Sequence, residues 1–260
     1  MTGNEYNTLL SVNSLSKRFG GLQAVDNVSF SVQRGSIRAL IGPNGAGKTT
    51  LFNLISGVIT PDGGSIMFDG SPVQGLKPHS IAGRGMARTF QHIRLFPKMS
   101  VLENLMIGRH IHSRAGFVAG MLHLPFTWKE EKAIRESCFD ILEFLGLSGL
   151  AMQEATSLAY GQQRIVEIGR ALACEPKLLL LDEPAAGLNM RETEDMASLI
   201  SRIRDKGITV LLVEHDMSLV MNISDEILVL SYGQKIADDV PLKIQQNSEV
   251  IRVYLGEEDA

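Results

Sequence analysis

Ser36-Ile37-Arg38-Ala39-Leu40-Ile41, running directly into Gly42-Pro43-Asn44-Gly45-Ala46-Gly47-Lys48-Thr49, decides how this chain is read. The first six residues form a short apolar strand, the next eight match the glycine-rich phosphate-loop pattern, and a helix is expected over Lys48 to Ile55. Chemistry demands that order. Glycines let backbone N–H groups turn inward around phosphates, and a helix N-terminus adds partial positive charge. Lys48 then holds the β- and γ-phosphates, while the Thr49 hydroxyl faces a magnesium ion that bridges them. Candidate nucleotide contacts are therefore Gly42, Pro43, Asn44, Gly45, Ala46, Gly47, Lys48, Thr49 and Thr50.

Downstream, Leu178-Leu179-Leu180-Leu181 is a continuous apolar run of the kind found in strands covered on both faces, and it delivers Asp182-Glu183 at its carboxyl end. Alone, such a pair serves equally well as a helix cap or a surface salt bridge. Beside a phosphate loop, Asp182 is expected to assist magnesium and Glu183 to orient the attacking water as general base. Thr209 to Val213 and Glu226 to Leu230 read as further strands. Met196, Leu199, Ile200 and Ile203 between them fall at helical spacing, with Gly207 as the stop.

The opening segment is different. About the first 40 residues alternate as antiparallel strands do, with Gly20-Gly21 as punctuation. Ser100 to Ile111 and Trp128 to Leu145 read as helices, the second with Ile134, Cys138, Ile141, Leu142 and Leu145 on one face. The expected organisation is an α/β core over 1–91 and 176–260, with an inserted helical subdomain over 92–175. The apolar stretch Ala115 to Trp128 reads either as a permease or membrane contact or, the simpler reading, as a packing cluster of that subdomain. Glu257-Glu258-Asp259 reads as a solvated tail.

With 260 residues, 44% hydrophobic, the chain can bury a substantial core, and its net charge of -4 argues against a surface built for nucleic acid. Cys138 and Cys174 lack metal-ligand spacing and read as free thiols. No stretch approaches the ~18 apolar residues that span a bilayer, and Met1 to Leu10 lacks the pattern of a signal peptide. The chain is therefore expected in the cytoplasm, reaching a membrane only through partners.

Five further stretches fall in the order seen in ATP-binding cassette (ABC) proteins, and the chain resembles that family over nearly its whole length. Lys17-Arg18-Phe19-Gly20 resembles the aromatic loop, which makes Phe19 the candidate for the adenine face; a core Phe at a strand end is the alternative. Thr89-Phe90-Gln91 resembles the glutamine loop, in which Gln91 touches magnesium and the attacking water. Leu158-Ala159-Tyr160-Gly161-Gln162 stands where the Leu-Ser-Gly-Gly-Gln signature belongs, placing Ala159, Tyr160, Gly161 and Gln162 on the ATP of a second cassette. Ala185-Ala186-Gly187-Leu188-Asn189 takes the place of the D-loop, and Glu214-His215-Asp216 that of the switch histidine, His215, which contacts the γ-phosphate. Two departures are visible: Ala159 for Ser, and Asn189 for Asp.

Within that family the chain is most similar to the ATP-binding subunits of branched-chain amino acid importers, of the LivG type. Gly85-Met86-Ala87-Arg88-Thr89-Phe90-Gln91, Arg94-Leu95-Phe96, Val101-Leu102-Glu103-Asn104 and Val253-Tyr254-Leu255-Gly256 carry that likeness. The resemblance implies a P-loop NTPase (RecA-like) core of mostly parallel strands, an N-terminal antiparallel β-subdomain and an inserted α-helical subdomain. It also implies ATP and Mg²⁺ as ligands, two transmembrane permease subunits, a second ABC ATPase subunit, a substrate-binding protein outside the membrane, and a peripheral position on the cytoplasmic face of the inner membrane. Rival readings are weaker. A soluble cassette acting on DNA or ribosomes usually carries a coiled coil or a second cassette in one chain. A non-hydrolysing regulatory module conflicts with the intact Lys48, Asp182, Glu183 and His215. A GTPase lacks its Asn-Lys-x-Asp motif here.

Overall fold

The computed structural model describes residues 7–109 and 125–255. Most of the apolar stretch from Ala115 and all of the acidic tail lie outside the described residues. The chain forms two compact units, one comprising 1–81 with 180–260, the other 82–179.

The first unit contains two sheets. Strands β1 (Thr8–Phe19), β2 (Leu22–Gln33), β4 (Gly63–Phe68) and β5 (Ser71–Pro72) form an antiparallel sheet in the order β2-β1-β4-β5. Val25, Val28, Phe30 and Val32 of β2 are buried, and so are Leu10, Val12 and Leu15 of β1. The period of two breaks between Val12 and Leu15 and between Val25 and Val28. The register shifts there, and Ser14 and Asn27 take left-handed φ of 48° and 51°. Serine hydroxyls satisfy the N–H groups that these bulges leave over: Ser29 Oγ accepts from Ser14 N at 2.7 Å, and Ser16 Oγ from Asn27 N at 3.0 Å.

The second sheet of this unit runs β10-β9-β3-β8-β7, from β3 (Ile37–Ile41), β7 (Leu178–Asp182), β8 (Thr209–Val213), β9 (Glu226–Ser231) and β10 (Gln234–Asp239). β3 lies parallel to both β8 and β9, and β10 returns antiparallel to β9. The Tyr232-Gly233 turn has both φ positive, at 46° and 80°, as a tight hairpin of right-handed twist requires. Every residue of β3, β7 and β8 is buried. Two are charged, Asp182 at the end of β7 and Arg38 in β3, which donates to Ser31 O and pairs with Glu226 at 2.5 Å and with Asp238. β3 begins one residue later than expected, because Ser36 turns back to give its N–H and hydroxyl to Gln33 O. Helix α1 (Lys48–Ile55) follows the phosphate loop, and α2 is the short Pro78–Ala82.

In the second unit β6 (Met86–Arg88) lies beside the opening of β7, with Gly85 O accepting from Lys177 N and Leu178 N. The unit's α-helices among the described residues are α3 (Val101–Arg109), α4 (Pro125–Leu145) and α5 (Tyr160–Leu172). α3 starts at Val101 because Ser100 caps it: Ser100 Oγ accepts from Glu103 N, and Glu103 Oε2 accepts from Ser100 N at 2.7 Å. α4 begins at Pro125, three residues before the expected start, since proline fits the first helical turn. Of the predicted face, Ile134, Cys138, Leu142 and Leu145 are buried and Ile141 is half-buried; Leu105 and Val166 are buried as well, and each buried aliphatic side chain contributes about 1.5–3 kcal/mol. Cys138 and Cys174 are buried thiols outside any disulfide, and burial pushes the Cys138 thiol up to about 11.

Back in the first unit, α6 (Met190–Asp205) buries Met196, Leu199, Ile200 and Ile203. α7 (Met217–Ile223), α8 (Pro241–Gln245) and α9 (Ser248–Leu255) follow. Among the described residues, no helix is long and apolar enough to cross a membrane.

Candidate nucleotide-binding site

The phosphate loop is shaped by two close approaches. Gly42 has φ 149°, and a Cβ there would sit 2.2 Å from Leu230 O; Gly47 has φ 100°, and its Cβ would meet Ala24 O at 2.4 Å. Strands β2 and β9 thus press on the loop, and only glycine fits. The Tyr232-Gly233 turn adds a bond from Gly233 N to Ala46 O at 3.0 Å. No side chain caps α1 and no acidic residue occupies its first turn, so its leading N–H groups remain available to an anion.

Lys48 is only 6% exposed. Its Nζ donates to Gly42 O at 2.6 Å and Pro43 O at 2.9 Å, two neutral carbonyls of the loop itself. Burial lowers its pKa, and the nearby charge of Glu183 opposes that shift. An ammonium held by neutral partners in a desolvated loop is suited to receive phosphate oxygens. Thr49 and Thr50 follow in the first turn, Thr49 exposed. Phe19, the last residue of β1, is 47% exposed with Lys17 Nζ 5.6 Å from its ring centroid, so it is a surface ring and not a core one.

Asp182 ends β7 and is buried. Glu183 follows with φ 50°, a left-handed conformation that is costly for a non-glycine residue, the more so before Pro184. Its N–H is fixed to Val213 O at 2.9 Å, and its Oε1 lies 2.9 Å from His215 Nε2. The structure therefore brings Lys48, Glu183 and His215 into one electrostatic group. Asn189 is the N-cap of α6: its Oδ1 accepts from Glu192 N at 3.1 Å, while Glu192 Oε2 accepts from Asn189 N at 2.9 Å. Asn and Asp cap about equally well, which accounts for the departure in the D-loop.

Gln91 and Ala159 to Gln162 belong to the second unit, where a buried ionic network ties their segments together. Gln91 is exposed. Beside it, Phe90 O accepts from Arg164 Nη1 at 3.3 Å, and the Phe90 ring lies under Arg94 at 4.8 Å. Arg164, 4% exposed, also donates to Tyr160 Oη at 3.0 Å. Glu167, 2% exposed, accepts from Arg94 N at 3.4 Å, and Arg170 donates to Arg94 O at 2.5 Å. Burial raises the Glu167 pKa against the pull of Arg170 and Arg164. Ala159 is the N-cap of α5 and has no side-chain acceptor to offer. Only the return half of a capping box exists, Ala159 N to Gln162 Oε1 at 3.2 Å.

Two groups escaped the sequence reading, as did one departure at a residue it did name. Tyr160 stands where the Leu-Ser-Gly-Gly-Gln pattern has glycine, a third departure visible by simple alignment. Arg164, Glu167 and Arg170 recur every three residues along α5 amid buried apolar neighbours, a charged row that helical spacing could have flagged. Glu214, 3% exposed, directly follows β8, yet only His215 beside it drew attention.

The two close glycines, the uncapped helix start and the desolvated Lys48 fit a triphosphate, and Thr49 and Asp182 carry hard oxygen donors of the kind that could hold magnesium.

Comparison with known proteins agrees with this geometry. Residues 25–186 match the family model described as ABC transporter. The chain is 47% identical over 96% of its length to the high-affinity branched-chain amino acid transport ATP-binding protein BraF of Pseudomonas aeruginosa, covering 98% of that protein. It is 46% identical, with the same coverage of both chains, to LivG of Escherichia coli, which carries the same description. Among solved structures, a nucleotide-free ATP-binding cassette from an ABC transporter superposes with a TM-score of 0.84 at 35% identity, over 96% of this chain and 100% of that one. A cassette in its ADP conformation gives 0.84 at 36% identity, over 96% and 99%. With the phosphate loop, the acidic strand end and its histidine in place on this fold, the chain belongs to the ABC transporter family as an ATP-binding cassette.

Proposed function

We propose that the chain is the ATP-hydrolysing subunit of an importer, energising uptake of branched-chain amino acids through separate permease subunits. The observation that carries hydrolysis is the pairing of Glu183 with His215 beside the buried Lys48. Near-complete coverage of relatives named for branched-chain amino acid transport supports the substrate.

Lys48 exchanges its bonds to Gly42 O and Pro43 O for β- and γ-phosphate oxygens, and the α1 N–H groups take the remainder of the charge. Phe19 offers its exposed ring to adenine. Thr49 and Asp182 would hold magnesium, which would neutralise charge developing on the phosphates. Glu183 orients and polarises the attacking water, and His215 holds Glu183 in place and reaches the γ-phosphate. Ala159, Tyr160, Gly161 and Gln162 close over the ATP of a second cassette, with backbone N–H groups and the α5 N-terminus replacing the serine hydroxyl. Closing and reopening of the cassette pair moves two permease subunits between their access states, and a substrate-binding protein feeds them from outside. The chain sits on the cytoplasmic face of the membrane, without nucleic acid.

The test is purification of the tagged chain from gently solubilised native membranes, mass spectrometry of its companions, and leucine, isoleucine and valine uptake in cells lacking it. Two multi-span permeases, a second cassette and loss of uptake are expected. Recovery with ribosomal or nucleic-acid partners, or unaltered uptake of all three amino acids, overturns the assignment.

A further inference from the structure

The geometry points to Glu214 as a positioning residue for ATP hydrolysis: its buried carboxylate fastens the start of the D-loop and the switch histidine to one another, and so holds Glu183 in its left-handed backbone. This rests on the hydrolytic reading above. Glu214 Oε1 accepts from Ala185 N at 2.7 Å, while Oε2 accepts from His215 N at 3.0 Å and from Asp216 N at 3.4 Å. Both oxygens are used, on two separate segments, by a side chain that is 3% exposed.

The stretch between those anchors is strained. Glu183 at φ 50° precedes a proline, which disfavours that conformation further, and such a residue persists only where its surroundings over-determine it. One restraint lies at its own N–H, bonded to Val213 O. The next available amide is that of Ala185, since Pro184 has none, and Glu214 holds it. On the other side, the same carboxylate fixes the backbone of His215, whose ring reaches Glu183. Base and histidine are thus placed by one buried group whose described hydrogen bonds all come from backbone N–H donors. Glutamine has the same shape but only one oxygen, and its NH₂ would face backbone N–H donors on one side.

The experiment compares Glu214→Gln with wild type in the transporter purified from membranes, alongside Glu183→Gln and Lys48→Ala as controls. An amide that leaves buried donors unpaired should lower kcat for ATP hydrolysis by about 10- to 100-fold and the melting temperature by about 2–10 °C, while ATP affinity stays close to wild type. Combined with His215→Ala, the loss should fall at least about tenfold short of the product of the two single losses, because both changes act on the same group. A variant with kcat within twofold of wild type, or a double variant whose losses multiply, overturns the proposal. Should Glu214→Gln fail to fold, amide hydrogen exchange on the wild-type chain decides. Ala185, His215 and Asp216 should open together, and free exchange at Ala185 with the other two protected sinks the idea. A wild-type transporter without ATPase activity would instead refute the hydrolytic reading itself.

Discussion

His215 Nε2 meets Glu183 Oε1 at 2.9 Å, linking the residue after β7 to a residue just past the end of β8. When Glu183 is ionised it only accepts, and the imidazole then donates through Nε2. Glu183 is then aimed by a partner reached through a neighbouring strand. His215→Ala should lower kcat for ATP hydrolysis by about 10²-fold with KM changed less than about threefold, since aiming acts on the reacting state more than on binding. Steady-state phosphate release measures both. Loss confined to KM would move His215 from aiming to binding.

Lys48 is held by Gly42 O and Pro43 O and by no close carboxylate contact among the described hydrogen bonds. Lys48→Ala should weaken ATP binding by about 100-fold or more, as removal of a charged phosphate contact does, while the chain stays folded. Titration with a fluorescent nucleotide, alongside a melting curve, checks this.

Ala159→Ser supplies the missing half of the α5 capping box. An added N-cap acceptor stabilises by about 1 kcal/mol, which raises Tm by about 2–4 °C in a chain of this size. A rise in ATPase activity of several-fold in the assembled transporter, without that thermal gain, would place the hydroxyl on phosphate and not on the helix.

Asn189 holds the other exposed helix start. Asn189→Ala should cost about 1 kcal/mol and Asn189→Asp almost nothing, because Asn and Asp cap alike. Chemical denaturation of the two variants gives the comparison. Equal losses would mean that the amide NH₂ serves a purpose other than capping.

Glu167 has a pKa raised by burial. The folded chain therefore binds that proton more tightly than the unfolded chain. Its contribution is most favourable below the ordinary glutamate value and declines as pH rises through the raised folded value. Glu167→Gln removes that dependence. From about pH 8 down to about pH 5, wild type should gain stability relative to the variant. A difference that stays flat with pH would show the carboxylate ionised throughout.

The central strands were legible because their chemistry is uniform. Leu178 to Leu181 and Thr209 to Val213 are apolar without interruption, which only strands buried on both faces require. The phosphate loop was legible because glycine, lysine and threonine at fixed spacing have few other uses. Arg164, Glu167 and Glu214 were not, because a charged residue in a sequence looks the same whether it faces water or fills a buried network. Burial separates the two cases, and burial is set by segments far along the chain. Asn189 lies between these extremes. It read as a departure from the D-loop, although Asn189 followed by Glu192 is a capping signature in plain view.

Arg38 and its strand have a further consequence, for the order in which the protein can be made. β3 is flanked by β8 and β9, and Arg38 finds its carboxylates at Glu226 and Asp238. As the chain emerges from the ribosome, the phosphate loop is among its earliest parts, yet β9, whose Leu230 carbonyl presses on Gly42, is among its last. Residues 82–179, contiguous and emerging between them, can collapse first by contacts near in sequence. A transcript cut before codon 226 therefore yields a polypeptide with its nucleotide motif intact in sequence but with one side of β3 unpaired and Arg38 without its carboxylates, so the loop gains its full support only with the final stretch of synthesis.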